Sequence, residues 1–340
     1  MSKVNPELSI ERFDPSGGVS VFLFHDLMEM EQKCFPPSIQ SDWEEVKLLI
    51  EGSVSCYFVY DNHSNIRKVV GSAYAIPLEK PDDIDSDDPH RDYWLELIKR
   101  YEGQQVAYLY SISVHPEYQG KDLSKRLMIS LLSDLKAHGY TKLLSHANEG
   151  VSLHLHDFFG AKHIDSIQNW YGTNHQYTFC EIDLKELHLI PLSEPFMQEK
   201  GFDCGIACLE TVLHYHRIYY KDRDSLIQAS GVTNQGTRHE GMIATIEAFW
   251  YRPIIVSGLM FLTSLLSAGR LVIMHVLSPG TYEGHYVVAV GMNLESLYVW
   301  EPYDGLFGRM SWQEVGRIWW NNTYRNTWGI SIHEHQPTEK

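Results

Sequence analysis

Residues 198–208 read QEKGFDCGIAC, and Cys204 stands there at the beginning of an apolar helical pattern, CGIACLETVLHYHR. An aspartate before a helix caps the backbone N–H groups of the first turn, which is the role expected of Asp203. The positive end of the helix dipole favours a thiolate. The pattern therefore predicts a reactive Cys204, with Gly205 leaving room for a substrate backbone. Cys208, one turn deeper, is expected to be a packed core residue.

Three further features follow this motif at fixed spacing. Gln198 precedes Cys204 in the pattern Q-x5-C-G, and about eighty residues later His285 opens the strand pattern GHYVVAVG. The pair Glu301-Pro302 begins sixteen residues after that histidine. Together and in this order, the pieces resemble the double-glycine (bacteriocin leader) peptidases, a papain-like cysteine peptidase family. The closing segment SWQEVGRIWW is also similar to the last helix of that family.

The resemblance implies a catalytic set. Cys204 would attack a carbonyl carbon, and His285 would hold the thiolate as an ion pair and protonate the leaving amine. Gln198 would donate an N–H to the oxyanion. The family carries Asp, sometimes Asn, before the proline, where this chain has Glu301. We expect Glu301 to orient the imidazole, with Asp304 as the alternative third member.

In the first half, the segment SVHPEYQGKDLSKRLM predicts a strand, a loop and a long helix ending at Gly139. It resembles the acetyl-CoA loop of the GNAT N-acetyltransferases, in which backbone N–H groups cradle the pyrophosphate at a helix N-terminus. The downstream segment HANEGVSLHLHDFFGA resembles the second signature of that family, with His156 at the position of a tyrosine that often protonates the leaving thiolate. The binding residues that the resemblance implies are Val114, Gln119, Gly120, Lys121, Asp122, Ser124 and Asn148. Because Asp122 would face the diphosphate, we expect its charge to weaken CoA binding.

A length of 340 residues exceeds one hydrophobic core and favours two domains. Alternating helix and strand patterns fill the first half. Two prolines without a clear period place the boundary near residue 190. We expect a GNAT-like α/β domain at 1–185, with a mixed sheet flanked by helices, and a linker at 186–195. An α+β domain with the papain-like cysteine peptidase fold would follow at 196–340.

The charge balance excludes one class of partner. With 28 basic and 44 acidic residues, the formal charge is −16 and no basic cluster stands out, so we expect no nucleic-acid partner. The first residues lack the order of a secretory signal, and no apolar run approaches the roughly 20 residues of a membrane helix. We therefore expect a cytoplasmic protein with no membrane insertion. Five scattered cysteines predict free thiols rather than a disulfide framework.

Two sequence patterns resemble metal-binding motifs, but each lacks residues that such a motif requires. The acidic segment at 81–92 lacks the glycine and glutamate that an EF-hand loop requires. The histidine pairs at 154 and 156, 214 and 216, and 333 and 335 have no HExxH or cysteine partner. We expect a solvated loop, surface or packed histidines, and no metal.

These observations predict a cysteine peptidase that forms a thioester on Cys204 with a peptide or protein substrate and needs no cofactor. The first half would be a degenerate or accessory acetyltransferase-like module, with acetyl-CoA as its candidate cofactor. Three alternatives stay open. They are an active acetyl-CoA-dependent N-acetyltransferase, a transamidase or deamidase working through the same thioester, and a non-catalytic effector module on the same folds.

Overall fold

The computed structural model describes residues 8–14, 20–63, 67–78, 86–192, 195–278, 283–319 and 327–333. The chain divides between Glu186 and Leu187 into two compact units, named here the N-terminal unit and the C-terminal unit. Within the described residues, no helix has the length and apolar character needed to cross a membrane. Part of the acidic segment at 81–92 and His335 lie outside the described residues.

The N-terminal unit is a sheet with helices packed against it. Its described helices are α1 (Val21–Cys34), α2 (Trp43–Glu51), α3 (Arg91–Arg100), α4 (Leu123–Ala137) and α5 (Val151–Phe158). Its described strands are β1 (Leu8–Arg12), β2 (Ser55–Asp61), β3 (Lys68–Pro77), β4 (Val106–Val114), β5 (Lys142–Asn148), β6 (Lys162–Gln168) and β7 (Gln176–Asp183). The strand order is β1-β2-β3-β4-β5-β7-β6, and β4 and β5 form the parallel pair in an otherwise antiparallel sheet.

Strands β4 and β5 pair only at their beginnings. Val106 to Tyr108 lie opposite Lys142 to Leu144, and the paired register stops there although both strands continue. The loop after β4 then leads into α4, whose apolar stripe is buried in the core, as its period predicts. Gly139 follows the helix with φ +84°, a conformation that glycine adopts without strain. Strands β4 and β5 therefore diverge beyond these pairs, and the gap between them lies at the same edge as the N-terminus of α4.

The C-terminal unit places three helices before most of an antiparallel sheet. Its described helices are α6 (Cys204–Tyr215), α7 (Arg223–Ser230), α8 (His239–Ala248), α9 (Leu259–Ser267) and α10 (Trp312–Ile318). Its described strands are β8 (His188–Leu189), β9 (Arg252–Val256), β10 (Val272–Leu277), β11 (Gly284–Met292), β12 (Ser296–Trp300), β13 (Phe307–Ser311) and β14 (Trp328–His333). The strand order is β13-β12-β11-β10-β14-β9.

Part of the predicted linker is a strand. His188 and Leu189 pair with the end of β11, and the N–H of Ile190 donates to the Val290 carbonyl at 2.7 Å. The pairing of β11 with β12 has a bulge beside this contact, between Ala289 and Gly291. A Cβ on Gly291 would lie 2.4 Å from the His188 carbonyl oxygen, so this close approach requires a glycine. Residues 188 and 189 therefore belong to the sheet of the C-terminal unit.

Helix α6 forms the centre of this unit. The apolar face predicted from its sequence, Ile206, Leu209, Val212 and Leu213, is fully buried, and α6 packs against β11. This packing fixes the first residue of the helix next to the first residues of the strand.

Candidate active site

The five cysteines are all free thiols but have different surroundings. Cys204 is the first residue of α6 and is 8% exposed, whereas Cys208 is fully buried. Burial raises the pKa of the Cys208 thiol well above its ordinary value, and the charges of Cys204 and Glu301 add to this effect. Burial also raises the pKa of Cys34 to about 11 and that of Cys180 to about 12. Burial therefore holds these three thiols in the protonated form near neutral pH.

His285 is the second residue of β11, and its imidazole lies between a sulfur and a carboxylate. Its Nε2 is 2.5 Å from Glu301 Oε1, and Cys204 is close enough to act on the pKa of the ring. Because Nε2 faces the carboxylate, Nδ1 is the ring nitrogen available to the sulfur. Burial alone would lower the pKa of His285, but the hydrogen bonds and charges of Cys204 and Glu301 outweigh it and raise the pKa to about 10.

Glu301 directly follows β12, in a turn that stabilises its carboxylate. Its Oε1 accepts the N–H of Tyr303 at 3.0 Å in addition to the contact with His285. The alternative acid, Asp304, uses its Oδ1 to accept the N–H of Leu306 at 2.9 Å within the same turn. The structure therefore brings Glu301, and not Asp304, to the imidazole.

Asp203 does not cap α6, contrary to the sequence expectation. Its carboxylate makes no side-chain cap hydrogen bond and instead accepts the N–H groups of Glu199, at 3.2 Å, and Lys200, at 3.0 Å. Oδ2 lies 2.9 Å from Arg223 Nη2. The residue is 2% exposed, and a buried carboxylate requires a counter-charge and hydrogen-bond donors, which the first turn of α6 would supply only in part. The first-turn N–H groups of α6 therefore receive no cap from Asp203.

Gln198 is tied to the turn that carries Glu301. Its backbone N–H donates to the Pro302 carbonyl at 2.9 Å, and its side-chain Nε2 donates to the Lys200 carbonyl at 3.2 Å. Its amide oxygen is buried and has no hydrogen-bond partner among the described residues. The side chain thus keeps one Nε2 hydrogen for another acceptor.

Gly205 is required for packing rather than for substrate access. A Cβ at this position would lie 3.1 Å from both Cβ and Oγ1 of Thr237 and 3.2 Å from Met242 Sδ. The space that the sequence assigned to a substrate backbone is filled by the chain that leads into α8. The expectation that Gly205 leaves room for a substrate backbone is wrong.

In the N-terminal unit, the loop between β4 and α4 takes two left-handed conformations, with φ +78° at Gly120 and +55° at Asp122. The side-chain Nε2 of Gln119 donates to the Val114 carbonyl at 3.1 Å, which closes the loop onto the end of β4. Ser124 lies in the first turn of α4. Lys121 lies over the Tyr118 ring, with Nζ 5.2 Å from its centroid.

Asp122 is not an isolated negative charge. Its Oδ2 is 3.1 Å from Nζ of Lys125, one turn along α4. The pair is partly exposed, so the attraction is modest, but the cation offsets the carboxylate that the sequence alone presents.

Asn148 and His156 lie beside the gap between β4 and β5. Asn148 ends β5 and lies opposite Tyr177 of β7. His156 is buried, with Nε2 2.6 Å from Ser145 Oγ and Nδ1 2.7 Å from the Ser152 carbonyl. Because the carbonyl requires an N–H donor, Nδ1 carries the proton and Nε2 accepts from the serine. Burial lowers the pKa of His156, so this ring is a packed neutral residue with both nitrogens in use.

Comparison with known families identifies both units. Residues 24–161 match the model of the acetyltransferase (GNAT) family, and residues 193–323 match that of the Peptidase C39 family. The chain joins a GNAT domain to a C39 peptidase domain. Both resemblances drawn from the motifs, and the fold class that they imply, are confirmed. No curated protein matches the chain.

Solved structures similar to each domain have low sequence identity. The peptidase domain of Streptococcus ComA, a bifunctional ABC transporter involved in quorum sensing, is 21% identical, with a TM-score of 0.36, and the match covers 44% of this chain and 98% of that one. The ribosomal-protein-S18-alanine N-acetyltransferase of Escherichia coli is 15% identical, with a TM-score of 0.36 and coverage of 52% and 94%. A putative acetyltransferase of Salmonella typhimurium with acetyl-CoA is 18% identical, with a TM-score of 0.36 and coverage of 54% and 98%.

The C39 domain also contains site residues that the sequence analysis missed. A Cβ on Gly284 would lie 2.4 Å from Nε2 of His275, so the His275 ring packs directly on the residue before His285. Burial, with the charges of His239 and His285, lowers the pKa of His275 to about 4. The neutral ring therefore supports the start of β11. The sequence around Gly284 gave no signal for the contact with His275, because this contact depends on the pairing of β10 with β11.

The GNAT domain has a backbone that fits the diphosphate of acetyl-CoA. A Cβ on Gly120 would meet no atom within 4 Å, so that side of the loop is open. The first-turn N–H groups of α4, including those of Leu123 and Ser124, lack intrahelical acceptors and point toward the loop. Lys125 offsets the charge of Asp122. The residues present therefore fit the group that this family implies.

One cluster of His25, Asp26 and Glu29 in the GNAT domain has the composition of a metal site. The two oxygens of Glu29 are within 2.6 Å of Lys33 and 2.8 Å of Lys68, and Asp26 accepts the N–H of Val69 at 2.8 Å. Both carboxylates of the cluster already have protein partners, so the cluster gives no support for a metal.

Proposed function

We propose that the C39 domain is a cysteine peptidase that cleaves a peptide or protein through a thioester on Cys204. The observation that carries this proposal is the contact of His285 Nε2 with Glu301 Oε1 at 2.5 Å, with Cys204 acting on the pKa of the same imidazole. A thiol at a helix N-terminus, beside an imidazole that is itself held by a carboxylate, has the arrangement of a nucleophile, a base and an orienting group.

The four residues have distinct roles in the reaction. The Cys204 thiolate attacks the carbonyl carbon, and the oxyanion accepts hydrogen bonds from first-turn N–H groups of α6 and from the Gln198 amide. The C–N bond breaks as His285 Nδ1–H gives its proton to the leaving amine. Water, deprotonated by the now neutral imidazole, then attacks the thioester and releases the acid and the Cys204 thiolate. Glu301 keeps the ring oriented and stabilises the imidazolium in both halves of the cycle.

Water is the acceptor that we favour. An amine acceptor would turn the same thioester into a transamidation, and attack on a glutamine side chain would give deamidation. These reactions are distinguished by their products, because hydrolysis of the backbone yields two peptides and the other two reactions leave the backbone intact.

The unpaired state of all five cysteines supports a reducing compartment such as the cytoplasm.

We also infer that the GNAT domain binds acetyl-CoA, with Gln119, Gly120, Lys121, Asp122 and Ser124 in the cradle and Val114 and Asn148 at the strand ends. The ion pair of Asp122 with Lys125 and the left-handed backbone at Gly120 support this binding. When bound, acetyl-CoA supplies an activated acetyl group. His156 is neutral and already hydrogen-bonded at both nitrogens, so it is not available as a proton donor to a leaving thiolate.

The peptidase proposal is tested by incubating the full chain with a complex mixture of peptides and identifying new termini by mass spectrometry. We expect cleavage products that are absent with Cys204→Ser and with His285→Ala. Cys204→Ala/Cys208→Ala and Cys208→Ala proteins separate the two thiols, because the second variant should retain cleavage. Products that are equally abundant with Cys204→Ser would contradict the proposal.

A further inference from the structure

Arg223, the first residue of α7, forms a buried ion triad beside the active site of the C39 domain. Its Nη2 is 2.9 Å from Asp203 Oδ2, and its Nη1 is 2.5 Å from Glu210 Oε2. The three side chains are 7%, 3% and 2% exposed, respectively. Tyr220 OH donates to the second oxygen of Glu210 at 3.3 Å. All three charges are therefore held almost entirely away from solvent.

The triad reaches the backbone on both sides of Gln198. Arg223 Nη1 donates to the Met197 carbonyl at 3.3 Å. On the other side, the carboxylate of Asp203 accepts the N–H groups of Glu199 and Lys200. Residue 198 is thus enclosed by backbone contacts that depend on one guanidinium and its carboxylate partner.

A third contact joins this segment to the orienting acid. The N–H of Gln198 donates to the carbonyl of Pro302, the residue after Glu301. At the same time, Asp203 is the residue immediately before Cys204. The triad is therefore connected through the backbone to the nucleophile, to the proposed oxyanion donor and to the turn that orients His285.

Stability alone gives a poor account of this arrangement. Taking three charges out of water costs free energy that their mutual attraction often does not exceed, and apolar replacements of such triads are often neutral or stabilising. Directional positioning accounts for it better. The planar guanidinium offers donors in a fixed fork, and here it reaches two carboxylates and a carbonyl, which a lysine ammonium on a flexible stem does not reproduce.

We propose that Arg223 is a positioning residue for acyl transfer, and that it holds the Gln198 amide where the oxyanion forms. This inference rests on the proposed peptidase function. It predicts a specific separation of two reactions of Cys204. Alkylation by iodoacetamide needs the thiolate but no oxyanion site, whereas acylation by p-nitrophenyl acetate passes through a tetrahedral oxyanion.

The experiment compares Arg223→Lys and Arg223→Gln with the unaltered chain and with Arg217→Lys, an exposed arginine at the other end of α6. Rate constants are measured for Cys204 alkylation by iodoacetamide and for nitrophenolate release from p-nitrophenyl acetate in a single turnover. Loss of one oxyanion donor costs about 10²–10³ in rate. Since Arg223 acts through another residue, we expect acylation to fall by roughly 10- to 100-fold, with alkylation changed less than about threefold. Arg217→Lys should leave both rates unchanged.

A double-mutant comparison makes the role of Gln198 explicit. If Arg223 acts through this amide, Arg223→Lys should add little to the acylation defect of Gln198→Ala, because the two changes remove the same interaction. Should the Arg223 variants not fold, Asp203→Asn removes the ion pair while keeping a side-chain oxygen, and we expect the same separation of the two rates.

Four outcomes would overturn the inference. Equal losses in alkylation and acylation would assign Arg223 a general structural role, and unchanged rates in both would assign it none in the site. Fully additive defects with Gln198→Ala would show that it does not act through that amide. If Cys204 of the unaltered chain were inert to both reagents, the proposed peptidase function itself would fail, and the inference with it.

Discussion

His285 Nε2 lies 2.5 Å from Glu301 Oε1 although the two residues are not direct cross-strand partners. In the register of β11 with β12, Val288 lies opposite Trp300, so His285 and Glu301 are offset along the strands rather than opposed. Diagonal neighbours in a sheet are about 7–8 Å apart, within reach of long side chains. The long side chain of Glu301 spans this offset and brings the carboxylate to the imidazole.

The first prediction concerns the acid that orients the imidazole. Glu301→Gln keeps the length of the side chain but removes the charge that stabilises the imidazolium, so we expect the rate of Cys204 alkylation near pH 7 to fall at least about tenfold. Asp304→Asn is the matched control, since Asp304 accepts a backbone N–H within its own turn, and it should change the rate less than about threefold. A larger defect for Asp304→Asn would reverse the assignment of the third residue.

The second prediction ranks the five thiols. Cys204 should be alkylated first and below pH 8, because it has an imidazolium partner and a helix N-terminus. Burial raises the pKa of Cys34 and Cys208, which makes them poor nucleophiles. Limiting iodoacetamide followed by peptide mass mapping measures the order, with Cys208 as the internal control on the same helix. His285→Ala should move the Cys204 profile to higher pH. Prior reaction of Cys34, Cys56 or Cys180 would contradict the proposed ion pair.

The third prediction is a pH dependence of stability with a defined sign. The pKa of His285 is raised to about 10 in the folded chain, against about 6.5 in unfolded chains. Its contribution to the free energy of unfolding is therefore fully present below pH 6.5 and is lost as the pH rises toward 10. Chemical denaturation of the unaltered chain and of His285→Gln should give a difference that shrinks over this range.

The pKa shift of His275 has the opposite sign, so this residue provides a control for the pH dependence of stability. Its pKa is lowered to about 4, so its contribution is present above pH 6.5 and is lost as the pH falls toward 4. His275→Gln should therefore change the acid side of the stability profile. A His285→Gln difference that stays constant from pH 6 to 10 would show that the imidazolium is not stabilised in the folded chain.

The sequence predicted the elements that have a strong apolar period. Helices α4 and α6 and strands β4 and β11 lie where the patterns place them. Strand β6, KHIDSIQ, was missed because it is an exposed edge strand without alternation. Helix α3 was missed although Trp94, Leu97 and Ile98 recur at helical spacing, so its apolar stripe was present in the sequence. The edge strand β6, in contrast, is stabilised by its pairing with β7, which a local pattern does not contain.

The residues of the candidate active site were likewise predicted correctly only in part. The family resemblance singled out Cys204, His285 and Glu301, and the structure places the last two in contact. The role of Asp203 was wrong because its partner, Arg223, lies twenty residues away in the chain and nothing local marks the pair. The role of Gly205 was wrong for the same reason, as its neighbours come from the approach to α8.

The fourth prediction concerns Gly284. A Cβ at this position would lie 2.4 Å from Nε2 and 3.0 Å from Cε1 of His275, a ring that also contacts His239 Nε2 at 3.2 Å. Gly284→Ala must therefore displace the ring or the start of β11, and we expect a loss of about 1–3 kcal/mol of unfolding free energy. Cys204 alkylation should slow at the same time, because His285 is the next residue. Thermal and chemical denaturation, with the alkylation rate, measure both effects.

Gly316→Ala is the matched control for Gly284→Ala. Gly316 lies in α10, and a Cβ there would meet no atom within 4 Å. Alanine is favoured over glycine in a helix by about 1 kcal/mol, so this variant should be as stable as the unaltered chain or more so. Equal stability of the two variants would show that the contact between Gly284 and His275 is easily relieved.

The fifth prediction concerns CoA binding by the GNAT domain. Asp122 has φ +55° and a carboxylate at the cradle, with Lys125 Nζ 3.1 Å away. Asp122→Gly removes the charge, suits the left-handed backbone and leaves Lys125 to the phosphates, so we expect tighter CoA binding by calorimetry. Lys125→Ala leaves the carboxylate uncompensated and should weaken binding by about 1 kcal/mol or more. Lys99→Ala, on the exposed side of α3, controls for a general loss of positive charge. Tight binding by the natural sequence that Asp122→Gly leaves unchanged would show that the loop tolerates the carboxylate, and unchanged binding in Lys125→Ala as well would place CoA away from this loop.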